Sequence, residues 1–109
     1  MSTKTIYGNV NADGSIHSGS GDFQVIPEGT NGVYTLIFKQ SFSSIPTVIL
    51  TQKYSNSPSN WTDFPSDGGD TRDNAVLIAV NQDKAKLKTG DSTGGGTDRD
   101  FGFMATGGA

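Results

Sequence analysis

The sequence contains no cysteine and only one histidine among its 109 residues. Without cysteine the chain can form neither a disulfide framework nor a thiolate metal site. His17 has no second imidazole or thiol with which to share a metal ion, and it is the only imidazole that could activate a serine nucleophile. We therefore expect a protein that is not an enzyme, and we expect neither a cofactor nor a metal site.

Basic charge and long apolar runs are also lacking. Eight Lys and Arg against eleven Asp and Glu give a net charge of −3, whereas a nucleic-acid binder needs clustered Lys and Arg. No apolar stretch approaches the ~20 residues of a membrane span, and the first residues are polar. We expect no nucleic-acid partner, no membrane insertion and no N-terminal secretion signal, so that if the protein reaches the outside it does so by lysis, on a particle or by a non-standard route.

Helix formers are scarce, since Glu28 is the only glutamate and no window shows helical periodicity. Apolar and polar residues instead alternate in short runs between turn-forming residues. In the clearest run, Tyr34, Leu36 and Phe38 share one face of an extended segment. This pattern predicts an all-β fold, an antiparallel two-sheet β-sandwich of roughly seven or eight short strands.

The sandwich is expected to be a single domain, in which an N-terminal strand and hairpin (residues 1–20) pack on the main body (residues 21–109). The apolar run Ala75–Val80 predicts a strand covered on both faces. The alternation at Lys84–Lys88 predicts three outward lysines that protect against edge pairing. The expected core comprises Leu36, Phe38, Val48, Ile78, Leu87, Phe101 and Phe103.

The Tyr54–Arg72 segment is the longest stretch without a strand pattern, and it carries the only tryptophan. Loops of this length in compact domains tend to be functional or disordered. A sugar presents an apolar face that an aromatic ring can cover, and hydroxyls that Asp, Asn and Arg can hydrogen-bond. We therefore predict a carbohydrate site in this loop. Its candidate ligand-binding residues are Tyr54, Trp61, Asp63, Asp67, Asp70 and Arg72, with Phe64 as a further aromatic face.

Two other interpretations of this loop stay open. Trp61 and Phe64 could fold inward to anchor it or could meet a neighbouring subunit. Asp67, Asp70 and Asp73 could hold calcium through carboxylate oxygens, although their spacing lacks the EF-hand pattern.

Two further polar segments are expected to be structural. Asp98, Arg99 and Asp100 precede the last strand and are expected to form ion pairs or strand-end hydrogen bonds rather than a ligand site. The segment Asp91–Thr97 contains three consecutive glycines and is predicted to be a flexible loop. Because glycine offers almost no side-chain surface, this loop is the weaker candidate for recognition.

A series of short motifs runs through most of the chain. They are Gly21-Asp22-Phe23, Gly32-Val33-Tyr34-Thr35, Phe42, Pro46-Thr47-Val48, Asp73-Asn74-Ala75-Val76, Leu87-Lys88-Thr89-Gly90-Asp91 and Asp98-Arg99-Asp100-Phe101-Gly102-Phe103-Met104-Ala105-Thr106-Gly107. With these motifs, roughly residues 21–107 resemble the distal β-sandwich domains of phage tail fibres and bacterial surface proteins, and the order of elements is similar to that of H-type lectins. The resemblance implies a jelly-roll or H-type-lectin-like sandwich that forms a homotrimer and binds glycans or other cell-surface receptors. It also implies an extracellular or virion/particle-surface location, without an N-terminal secretion signal. The sugar-contacting residues of H-type lectins have no one-to-one match here, so none is carried over.

The sequence thus favours a non-catalytic module that binds a cell-surface glycan or glycoconjugate. Apolar residues on second strand faces, at Ala75–Val80 and at Met104, independently suggest neighbouring copies, which agrees with a homotrimer. The alternative is a structural trimerisation or capping domain of a fibre or surface protein, without glycan binding. A small hydrolase is disfavoured because the nucleophile–base set is missing.

Overall fold

The computed structural model describes residues 2–54 and 60–109, and within them the chain forms eight β-strands and no helix. The strands are β1 (Thr3–Val10), β2 (Ile16–Gly19), β3 (Phe23–Pro27), β4 (Val33–Phe38), β5 (Thr47–Gln52), β6 (Ala75–Val80), β7 (Lys84–Thr89) and β8 (Phe101–Gly108). No described segment is a helix long and apolar enough to cross a membrane.

The strands form two antiparallel four-stranded sheets. Sheet I has the order β2-β1-β8-β5, and sheet II has the order β3-β4-β7-β6. Their inner faces enclose one hydrophobic core, so the predicted all-β, two-sheet sandwich is confirmed. The N-terminal hairpin of β1 and β2 supplies half of sheet I, with β1 paired along its whole length to β8.

The alternation along β7 is the clearest link between sequence and packing. Ala85 and Leu87 point into the core and are almost completely buried, while the lysines between and beside them stay exposed. We expected these lysines to protect an edge strand from pairing with another chain. This prediction is wrong, because β7 lies between β4 and β6. The edges of sheet II are β3 and β6, and β3 ends at Pro27.

Aromatic side chains from both sheets fill the core. The Phe23 ring meets the Phe103 ring edge-on, with centroids 4.9 Å apart, and Tyr34 packs on Phe101 at 5.0 Å. Such pairs contribute about 0.5–1.5 kcal/mol beyond the area they bury. Five of the seven expected core residues are buried, namely Leu36, Phe38, Leu87, Phe101 and Phe103.

The other two expected core residues are not buried in the core. Val48 is only partly buried, and Ile78 is 51% exposed. Alternation along β6 explains Ile78: Leu77 pairs with the buried Leu87 and faces the core, so the next residue, Ile78, points outward. A β-bulge follows, because Ala79 pairs with Lys86 on the outer face and Val80 pairs with the buried Ala85. The outer face of β6 is exposed, so the prediction that Ala75–Val80 is covered on both faces is wrong for the single chain.

Substitution of Phe101 tests this placement of the last strand. Phe101→Ala should lower the free energy of unfolding by about 3–5 kcal/mol, because the ring is fully buried between the sheets. Met104→Ala is the matched control on β8, since Met104 is 45% exposed and should lose much less. Urea denaturation of both variants measures the difference. Equal losses would mean that β8 faces the core differently.

Candidate functional site

Four loops meet at one end of the sandwich, because the strands that flank them end at the same level. In sheet I, Val10 at the end of β1 and Gln52 at the end of β5 both pair with Phe101 at the start of β8. In sheet II, Thr89 at the end of β7 pairs with Ala75 at the start of β6. We call this the loop end; its loops are residues 11–15, 28–32, 53–74 (of which 60–74 and 53–54 are described) and 90–100.

Two carboxylates just before β8 hold two of the other loops. The Asp100 side chain is fully buried, and its Oδ1 accepts a hydrogen bond from the Ala12 backbone N–H at 2.8 Å. Asp98 Oδ1 accepts from the Gly32 backbone N–H at 2.6 Å. Hydrogen bonds to charged groups contribute about 1.5–3 kcal/mol each. These contacts agree with the strand-end hydrogen bonding that the sequence suggested.

Arg99, between these carboxylates, reaches the β5–β6 loop. Its Nη1 lies 3.5 Å from Asp73 Oδ2, and both side chains are largely buried. Gln52 adds a link between the two sheets, since its side-chain amide donates to the Gly90 carbonyl at 2.8 Å and accepts from the Gly90 N–H at 3.0 Å. Three consecutive residues and one glutamine therefore fix the loops relative to one another.

Tyr34 fixes the same end from inside the core. Its hydroxyl donates to the Ala12 carbonyl at 2.6 Å. Burial, and secondarily the negative charge of Asp98, raises the pKa of Tyr34 to about 12.

The glycine-rich loop is held by its own hydrogen bonds rather than left without contacts. Asp91 Oδ1 accepts from the Thr93 hydroxyl at 2.6 Å and from its backbone N–H at 2.9 Å. These two bonds lower the pKa of Asp91. Position 96 requires glycine because the backbone of Asn31 lies very close to it: a Cβ at this position would lie 2.4 Å from the Asn31 carbonyl oxygen.

Trp61 anchors the β5–β6 loop to the β1–β2 hairpin. Its indole N–H donates to Asn11 Oδ1 at 2.7 Å, and its ring stacks on His17 with centroids 5.1 Å apart. Lys53 Nζ lies 5.4 Å from the centre of the same ring. Since the N–H and the ring are both engaged within the chain, the structure favours the anchoring interpretation of Trp61.

Asp70 and Arg72 form a two-bond ion pair, with Arg72 Nη2 2.8 Å from Asp70 Oδ2 and Nε 3.1 Å from Oδ1. This pairing lowers the pKa of Asp70 and raises that of Arg72. Asp70 lines a cleft of about 200 Å³ together with Tyr54, whose ring lies close to Gly68. Arg72 lines a different cleft.

The remaining predicted site residues lie on the surface of the loop. Asp63 Oδ1 accepts from the Phe64 N–H at 3.1 Å, and Asp67 Oδ1 accepts from the Gly68 N–H at 2.8 Å. Phe64 is 97% exposed. The six predicted residues therefore share one loop, but they do not converge on one pocket.

The cleft that includes Arg72 joins the two loops that the sequence treated as competitors. It has a volume of about 370 Å³ and lies between Arg72 and Asn74 on one side and residues 91–95 on the other. Val76 and Lys88 complete its wall. The sequence analysis did not predict Asn74 or Lys88 as site residues. Lys88 could have been proposed from the alternation along β7, which places its side chain on the exposed face near the end of the strand.

Metal binding receives no support from the described residues, among which no three His, Asp or Glu side chains are grouped to hold an ion. Asp70 and Asp73, two of the candidate calcium ligands, are instead paired with arginines. No protein-family model, curated protein sequence or solved structure significantly matches the chain.

The raised pKa of Tyr34 predicts a specific loss of stability in alkali. The contribution of Tyr34 to the free energy of unfolding should be complete below about pH 10, where tyrosine is protonated in the unfolded chain. It should decline as the pH rises through about 12, because the unfolded chain releases this proton more readily than the folded one. Tyr34→Phe should lack this part of the decline, and it should lose about 0.5–1.5 kcal/mol at neutral pH with the hydrogen bond to Ala12.

Urea unfolding of both proteins, at neutral pH and at several values above about pH 10, measures the difference. Parallel alkaline decline in the wild type and in Tyr34→Phe would show that another group causes it.

Proposed function

We propose that this chain is a non-catalytic recognition module that binds a cell-surface carbohydrate reversibly at its loop end. The observation that carries the proposal is the cleft between Arg72, Asn74 and the glycine-rich loop. We place the protein at an extracellular or virion surface, where such a ligand is found. The resemblance of residues 21–107 to distal tail-fibre and lectin-like domains supports the same function.

The cleft offers the groups that a polyhydroxylated ligand requires. Val76 is 54% exposed and supplies an apolar surface for the C–H face of a sugar ring. Lys88, Asn74 and Arg72 supply hydrogen-bond donors around it. The ion pair with Asp70 uses two of the five N–H donors of the Arg72 guanidinium, so this group can also donate to a ligand.

The backbone around the cleft is already ordered by internal contacts. Asp91 holds the turn through Thr93, and Asn74 accepts at its carbonyl from the Gly90 N–H at 3.1 Å. Groups that are fixed before binding lose less entropy when the ligand arrives. Recognition thus uses both loops, with the β5–β6 loop supplying the guanidinium and the β7–β8 loop supplying a rigid wall.

The original candidate residues then take different roles. Arg72 contacts the ligand directly, and Asp70 orients Arg72. Trp61 holds the loop in place through Asn11 and His17. Tyr54 belongs to the neighbouring cleft, where a second sugar unit of an oligosaccharide could bind.

A structural role as a trimerisation or capping domain is the second candidate. It is favoured by the apolar side chains on the outer faces of both sheets, among them Ile49 and Val76, which are 59% and 54% exposed. A purely structural module would give no saturable, sugar-competed signal on a glycan array.

Two lysines on one strand provide the test of carbohydrate binding. Lys88→Ala should raise the dissociation constant about 10- to 100-fold, because it removes a charged donor worth about 1.5–3 kcal/mol from the cleft. Lys84→Ala is the matched control, since Lys84 lies on the same face of β7 but outside the cleft. Binding is measured by glycan array and then by titration with the best oligosaccharide.

Both variants should melt like the wild type, because both side chains are exposed. The proposal fails if no glycan gives a saturable signal, or if Lys84→Ala weakens binding as much as Lys88→Ala does.

A further inference from the structure

The outer face of sheet I carries an apolar row at its centre. Tyr7, Met104 and Ile49 lie directly opposite one another on β1, β8 and β5. Their exposed fractions are 51%, 45% and 59%. These values are high for large apolar side chains in the middle of three adjacent strands.

The residues on either side of this row carry no charge. On one side, Thr5, Thr106 and Thr47 form the neighbouring row, and the hydroxyls of Thr5 and Thr106 lie 3.2 Å apart. A patch that combines Tyr, Met and Ile and lacks charged side chains has the composition of a protein interface core.

The row on the other side contains a recess. Gly102 lies between Asn9 and Thr51, and a depression of about 290 Å³ over this part of the face is lined by Gly102 and by the Tyr7, Ile49 and Met104 row. Met104 and Gly102 are two positions apart on the same strand. The face therefore presents a projecting side chain and a recess next to each other, so the projection of one copy can enter the recess of the next copy.

The outer face of sheet II is different, although it also exposes apolar groups. Val76 and Ile78 are 54% and 51% exposed, which is about the same as the apolar row of sheet I. They lie beside the lysine row of β7, Lys84, Lys86 and Lys88. A contact between copies through this face would bring lysines of like charge together and remove them from water.

We propose that copies of this chain associate through the outer face of sheet I, with the row Tyr7, Met104 and Ile49 at the centre of the contact. An uncharged face requires an uncharged partner surface, and the same face of a second copy meets that requirement. The inference does not depend on carbohydrate binding. It identifies the surface through which the expected homotrimer would form, and it leaves the loop ends exposed for multivalent binding.

The size of the face sets the expected affinity. Four strands about 4.8 Å apart, each of up to eight residues, give a patch of roughly 19 by 26 Å. Two such patches bury roughly 1,000 Å² in total, which is below the about 1,200–2,000 Å² of stable protein interfaces and within the range of weak ones. We therefore expect association in the micromolar range, so the measurement must cover concentrations above and below it.

Charge substitutions on the two faces test the proposal. The wild type should sediment at equilibrium as a discrete oligomer of the 11.4 kDa chain, with three copies expected. Met104→Lys should raise the dissociation constant at least tenfold and yield monomers, whereas Ile78→Lys, at a similarly exposed position of sheet II, should leave the oligomer intact.

Ile49→Thr provides a second, milder variant that keeps a β-branched residue between Thr47 and Thr51, and it should also weaken association. A thermal melt confirms that each variant is folded. A dimer that Met104→Lys dissociates would support the interface and overturn the count of three. A monomeric wild type, or an oligomer that Ile78→Lys dissociates and Met104→Lys does not, would overturn the proposal.

Discussion

The loop end depends on the buried carboxylate of Asp100 and on the two charged residues before it. Asp100 bonds the β1–β2 turn, Asp98 bonds the β3–β4 turn, and Arg99 pairs with Asp73 in the β5–β6 loop. A buried carboxylate is costly unless it is hydrogen-bonded, so the Ala12 N–H and Asp100 must stay together for the fold to be stable. The sheets position the ends of the loops, and these three residues hold the loops against one another.

Local periodicity was sufficient to predict the all-β sandwich, because alternating runs such as Val33–Phe38 and Lys84–Thr89 show which side chains face a core. Local periodicity did not predict features that depend on which strands pair and in which register. The bulge between Leu77 and Ala79 arises from the register of β6 on β7, and the central position of β7 arises from its non-local partner β4. Neither is encoded within a short window of sequence.

The candidate site shows the same division. Composition drew attention to the Tyr54–Arg72 loop as a polar, aromatic segment, but it gave no information about which side chains the fold itself uses. Trp61 is engaged by Asn11, some fifty residues earlier in the chain. Lys88 lies near Arg72 and Asn74 because β6 and β7 pair. Such neighbours become visible only when the topology is known.

We propose that separate surfaces serve separate tasks: the loop end binds a carbohydrate, and the outer face of sheet I binds further copies of the chain. The central proposal is that the ligand binds between the β5–β6 and β7–β8 loops. The most direct measurement is an NMR titration of the ¹⁵N-labelled protein with the best oligosaccharide from the array. We expect shifts concentrated in the amides of residues 72–76 and 88–95, with none in residues 39–46 and 81–83 at the opposite end. Shifts concentrated at the opposite end would contradict it.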